Sequence, residues 1–178
     1  MNWYETIFEV IDMRSFSNLW YWIALAVLWS TTSHWVLGVP YDMMTRAQKQ
    51  GGQAMTDFED MVRINTNRLL YIARVSGLWL LGLSCFFLTV LGLLAFYYHV
   101  EFAQAVFLLA FPLSIVGLLS LSSARLIQSE NATGELLLRR MLWHRRLTQV
   151  LGMISIFGTS MYGMFQNMYV GPLGGFGG

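Results

Sequence analysis

The chain has 178 residues, of which 56% are hydrophobic and only 12% charged, with a formal net charge of +1. A water-soluble domain carries about 25% charged residues, so the composition points to a bilayer as solvent, and the near-neutral charge removes the basic footprint that nucleic-acid binding needs. A single cysteine, Cys85, excludes a disulfide framework, a zinc knuckle and an iron–sulfur site built from this chain alone. Residues 1–18 read as an outer interfacial helix: Glu5, Glu9 and Asp12 fall on one face, and Trp3, Ile7, Phe8, Val10 and Ile11 cover much of the rest.

Four uncharged runs follow, Ser15–Tyr41, Val75–Tyr98, Phe102–Ala124 and Leu147–Gly178. Each exceeds the roughly 20 residues a helix needs to cross the hydrocarbon core, and they place spans at about 19–38, 75–98, 103–124 and 148–169. A β-barrel would alternate apolar with polar residues; Leu78-Trp79-Leu80-Leu81 does not. A cleaved signal peptide would need a basic leader and a small-residue cleavage site, whereas Glu5, Glu9 and Asp12 outweigh Arg14 and the segment after the apolar run, Ser30-Thr31-Thr32-Ser33-His34-Trp35, has no Ala-x-Ala pattern. The expected fold is an all-α polytopic membrane protein: four transmembrane helices in an up-down bundle, with amphipathic cytoplasmic helices, as one domain over 1–178.

All but one of the 11 cations lie in two loops, 41–74 (Arg46, Lys49, Arg63, Arg68, Arg74) and 125–146 (Arg125, Arg139, Arg140, Arg145, Arg146). The positive-inside rule puts both loops in the cytoplasm and both termini outside, in the periplasm of a bacterial inner membrane. Pro40 ends or kinks the first span and is suited to open a short helix. Gly51-Gly52 reads as a turn, and Thr56-x-x-Glu59 as a capping box opening a helix over about 57–98, with Glu59 and Arg63 as an i, i+4 pair. Pro112 is a candidate kink in the third span.

Residues 129–134 read as a turn, and 135–146 as a basic helix. In that helix Leu137, Leu138, Met141 and Leu142 share an apolar arc, Arg139 and Arg146 stand roughly opposite, and Arg145 intrudes on the arc and must snorkel. Arg139, Arg140, Arg145, Arg146 and Trp143 are therefore candidate contacts for anionic lipid headgroups or a protein partner. In the fourth span Gly152, Ser155, Thr159 and Gly163 form one face of small residues for close helix packing, within the bundle or in an oligomer. Residues 171–178 read as a flexible glycine-rich tail.

No expected span has an Asp, Glu, Lys or Arg in its interior, which disfavours a proton-coupled carrier. His34, His99 and His144 do not converge in the sequence reading, and Ser122-Ser123 has no evident paired base. No catalytic, cofactor-binding or metal site is expected.

Asn2-Trp3-Tyr4-Glu5, Ile11-Asp12-Met13-Arg14-Ser15-Phe16-Ser17-Asn18-Leu19-Trp20 and Ser33-His34-Trp35-Val36-Leu37-Gly38-Val39-Pro40 resemble a group of small inner-membrane proteins from alphaproteobacteria related to Rhodobacter. Some of these carry the label "component of SufBCD complex". The resemblance implies an accessory association with iron–sulfur cluster assembly through the cytoplasmic loops. The expected function is thus a non-enzymatic multi-pass accessory or scaffold protein bound to the lipid bilayer, with a transporter or channel protomer acting as an oligomer as the alternative.

Overall fold

The computed structural model describes Phe16 and residues 18–170, leaving the expected interfacial helix and the glycine-rich tail outside the described residues. Over those residues it is helical apart from one short hairpin. The order is α1 (Leu19–His34), β1 (Trp35–Val36), β2 (Val39–Pro40), α2 (Tyr41–Gln50), α3 (Gly52–Gly92), a π-helical turn (Leu93–Tyr97), α4 (Glu101–Ser129) and α5 (Gly134–Val170). The Asn18 side chain caps α1 by accepting from the Trp20 N–H at 3.0 Å.

Helix α1 stops at His34, short of the expected 38. Pro40 disfavours helical backbone at Val39, and the chain folds back with Trp35 opposite Pro40 and Val36 opposite Val39. Leu37 (φ 52°) and Gly38 (φ 75°) make the two-residue turn, the left-handed pair that matches the twist of a hairpin. A leucine rarely takes this conformation, and here its side chain is buried in the larger core. Pro40 then caps the short amphipathic α2, which ends where Gly51 (φ 61°) donates its N–H to the Ala47 carbonyl at 3.0 Å.

Helix α3 begins at Gly52, earlier than a capping box at Thr56 requires, so Thr56 Oγ1 donates to the Gly52 carbonyl inside the helix. Arg63 pairs with Asp60, at 2.9 Å, in place of the expected Glu59. Together α3 and the π turn span Gly52–Tyr97, a rod of roughly 70 Å at 1.5 Å per residue, more than twice the thickness of a hydrocarbon core. Helix α4 runs through Pro112 without a break in its assignment. The basic stretch 135–146 and the expected fourth span are one continuous helix, α5, since no breaker separates them.

The larger of two buried clusters lies at the end of the bundle that carries the basic loops. Val36, Leu37 and Val39 of the hairpin meet Met44 and Ala47 of α2, Phe58 and Val62 of α3, Ile127 of α4, and Leu137, Leu138 and Met141 of α5. Each fully buried large apolar side chain contributes about 1.5–3 kcal/mol. The smaller cluster joins α1 and α4 through Leu25, Trp29 and Val116, with Leu151 of α5 packed against it.

Candidate functional site

The residues singled out on α5 separate into three environments. Arg139, Trp143 and Arg146 are turned outward along one face, with Trp143 58% accessible. Arg140 turns to Glu130 through a paired contact, Nε at 3.0 Å from Oε2 and one terminal nitrogen on Oε1. Arg145 neither faces solvent nor snorkels: its Nε donates to the Ser33 carbonyl at 3.3 Å and its guanidinium lies 3.5 Å over the Tyr41 ring. That side chain ties α5 to the end of α1 and the start of α2.

The face of small residues packs within the bundle. Gly152 lies against Trp29, where an added methyl would come 2.8 Å from Cε3, and Gly163 lies against Phe16 and Trp22. Ser155 and Thr159 put their hydroxyls into the same buried seam, with Thr159 1% exposed. Pro112 is half-buried along α4, next in sequence to Phe111 of the Phe107–Phe111 stack.

The structure also builds a site that no sequence pattern announced. Ser120 and Ser123, one turn apart on α4, face His144 of α5, which is 3% exposed. Ser123 Oγ is 2.9 Å from His144 Nδ1, and Ser120 Oγ is 3.4 Å from Nε2. Ser120 donates its proton to the Val116 carbonyl at 2.8 Å, so its oxygen is left to accept. With the ring proton on Nε2, Ser123 donates to Nδ1 and Ser120 accepts; with it on Nδ1, Ser123 accepts instead. Burial pushes the imidazole below its ordinary value, toward the neutral form. Serine and histidine are two members of a nucleophilic triad, but the ring nitrogen that a carboxylate would orient faces a second serine here. Ser123 therefore has a base partner after all, in a pair whose arrangement is that of a hydrogen-bonded polar core.

Beside this pair is a cavity of about 420 Å³ bounded by α1, the hairpin, α3, α4 and α5. Asn65 pins the hairpin to it by donating Nδ2 to the Gly38 carbonyl at 3.1 Å. Arg68 is the one charged side chain in its wall among the described residues. A second cleft, of about 470 Å³, lies beside the α4–α5 turn and is lined by Glu59, Asp60, Arg63, Thr66 and Asn131 among others. Its carboxylates are already engaged: Glu59 caps α5 by accepting from the Gly134 N–H, and Asp60 holds Arg63.

At the opposite end of the bundle the π turn leaves the Ala95 carbonyl to the side chain of Gln104, which is 1% exposed and donates to it at 2.9 Å. Gln166 of α5 donates in turn to Gln104 Oε1 at 2.8 Å and to Tyr162 Oη at 3.1 Å. This network locks the α3–α4 corner to α5. No known protein family, curated protein or solved structure matches the chain.

Proposed function

We propose that this chain is a four-span protein of a bacterial inner membrane that holds a folded, basic platform on the cytoplasmic face, and that it acts as a non-enzymatic scaffold docking a protein partner there. The observation that carries the reading is the position of the larger core. Apart from Val36 and Leu37 at the end of the first expected span, it lies in the segments between the expected spans, where loops that merely set topology would need no shared interior.

Two helices, Gly52–Tyr97 and Glu101–Ser129, are long and apolar enough to cross a membrane, and their apolar windows are 6% and 11% buried. Core helices of water-soluble domains are mostly covered, and a surface this apolar suits lipid. For the other two spans the support is the distribution of exposed side chains. Helix α5 presents Val150, Met153, Ile154, Phe157, Met161 and Met164 outward, directly beyond Arg146 and Trp143. Its less apolar residues, Gly152, Ser155, Thr159 and Gly163, are turned into the bundle. Helix α1 likewise exposes Leu19, Trp20, Ile23 and Val27. The run from Arg139 through Trp143 and Arg146 to the apolar stripe from Val150 onward passes from charged and interfacial side chains to apolar ones, as on going from cytoplasm into bilayer.

Arg139 and Arg146 face outward from the platform, and among the described residues neither has an ion-pair partner. Such charges set partner choice and encounter rate. The test is crosslinking in intact membranes with Arg139→Glu and Arg146→Glu combined, leaving Arg140 in its pair with Glu130. The scaffold reading expects one or more crosslinked proteins to be lost while insertion and protein level stay normal. An unchanged set of crosslinked proteins would contradict docking through this face and leave a lipid anchor. The resemblance to proteins labelled as components of the SufBCD complex names one partner to look for, and immunoblotting the crosslinked products for it tests that label directly.

A further inference from the structure

We propose that the cavity between α1 and α3 is a binding site for one phospholipid with an anionic, phosphate-bearing headgroup, seated with its head at Arg68 and His144 and its chains leaving toward the bilayer. This goes beyond scaffolding and rests only on the part of that reading that places the chain in a membrane.

Along α3 and α4 the cavity lining grades from a mainly polar half to an apolar one. Arg68 and Asn65 of α3, Ser120 of α4 and His144 of α5 mark the polar half, with Leu37 and Leu69 in the same wall, and Ile72 of α3 and Val116 of α4 mark the apolar one, while Thr32 of α1 is also in the lining. The order is the same on both helices. Ile72 is one turn from Arg68 in the direction of the apolar run that begins at Val75, and Val116 is one turn from Ser120 in the direction of the middle of α4. The polarity of the cavity therefore runs parallel to that of a bilayer leaflet, headgroup level first and hydrocarbon second. Trp35, in the hairpin wall, is half-exposed at the same level, a position where an indole suits the interface.

Donors dominate the polar half. Arg68 is exposed, and among the described residues it has no ion-pair partner. His144 Nε2 lies in the same wall, 3.4 Å from Ser120 Oγ, a long contact for a hydrogen bond. A guanidinium with no carboxylate partner, beside an imidazole in one wall, suits phosphate oxygens, for which arginine offers a planar fork of N–H groups. Arg145, the next cation along α5, is withdrawn onto Ser33 and Tyr41 and does not line the cavity. A volume of about 420 Å³ lies in the range of small-ligand sites, roughly 300–1,000 Å³. It accommodates a headgroup and glycerol region but not two acyl chains, so the chains must leave past Ile72 and Val116.

The experiment is native mass spectrometry of the full chain in detergent, titrated with dioleoylphosphatidylglycerol or dioleoylphosphatidylcholine. One phosphatidylglycerol is expected to stay bound under activation that strips phosphatidylcholine. Arg68→Gln should weaken retention about tenfold, the loss of one charge-assisted contact, and Arg68→Lys should restore part of it. Arg74→Gln, which removes a cation from the same helix outside the cavity wall, should change nothing. Equal losses in Arg68→Gln and Arg74→Gln, or equal retention of the two lipids, would overturn the proposal in favour of general lipid contact. Displacement of phosphatidylglycerol by inorganic phosphate at equal concentration would overturn the lipid assignment, because the apolar half would then contribute nothing. Arg68 is exposed, so its variants should fold, and an unchanged melting temperature in each establishes that the comparison is of binding alone.

Discussion

Trp29 is the side chain around which α1 and α5 meet, and Gly152 is the residue that lets them. The ring is 5% exposed, and a methyl added at Gly152 would lie only 2.8 Å from it, so Gly152→Ala forces a packed aromatic to shift. Overpacking of this kind costs about 1–3 kcal/mol. Gly82 on α3 has nothing within 4 Å of the same position, so Gly82→Ala should stabilise its helix by up to ~1 kcal/mol. Thermal unfolding of both variants in one detergent should lower the melting temperature for the first and keep or raise it for the second. Equal effects would mean that the α1–α5 seam is not where the structure puts it. The spacing of Gly152, Ser155, Thr159 and Gly163 was legible as a face because helical periodicity is local. Its partners, Trp29, Trp22 and Phe16, were not legible, because contacts across the bundle leave no trace in spacing. The same holds for Ser123 and His144: their meeting depends on how α4 and α5 are set against each other by the turn between them.

Glu59 shows the limit of local reading at the scale of an element. Its spacing from Thr56 fits a capping box, yet α3 starts a turn earlier, at Gly52, and Glu59 caps a different helix, accepting from Gly134 N–H of α5. Gly134 has φ 53°, so the turn delivers that N–H by a left-handed conformation that glycine adopts readily. Glu59→Ala should therefore destabilise the platform by about 0.5–2 kcal/mol, the range of a lost N-terminal cap, although the residue lies far from α5 in sequence. Amide hydrogen exchange should show the effect in the first turn of α5 and the adjoining Ile127–Leu137 contacts. Faster exchange confined to residues near Glu59 in α3 would contradict the cap. By contrast, Pro40 opening a short helix and Gly51-Gly52 turning the chain were readable in advance, since each acts through its own backbone. The helical reading of residues 35–38 missed the hairpin because an apolar run fits helix and buried strand alike.

At the scale of the whole molecule, length and hydropathy single out α3 with its π turn and α4 as candidate membrane spans, and α1 and α5 fall short of the same measure. Helix α1 has 16 residues, about 24 Å at 1.5 Å per residue, so the four-span proposal requires the hairpin to complete its crossing of roughly 30 Å. Helix α5 is long enough, but its small and hydroxylated residues dilute its mean hydropathy while lying inside the bundle. The central claim is that all four helices cross and that both basic segments share one side. The most direct test is accessibility of single cysteines to an impermeant maleimide in intact spheroplasts, in a Cys85→Ser background that removes the one native thiol. Cysteines at Leu19, Tyr98 and Met168 should label without permeabilisation, and those at Gln53 and Ser129 only after it. Labelling of Leu19 and Gln53 from the same side, or of Ser129 and Met168 from the same side, would show that α1 or α5 does not cross and would contradict the four-span account.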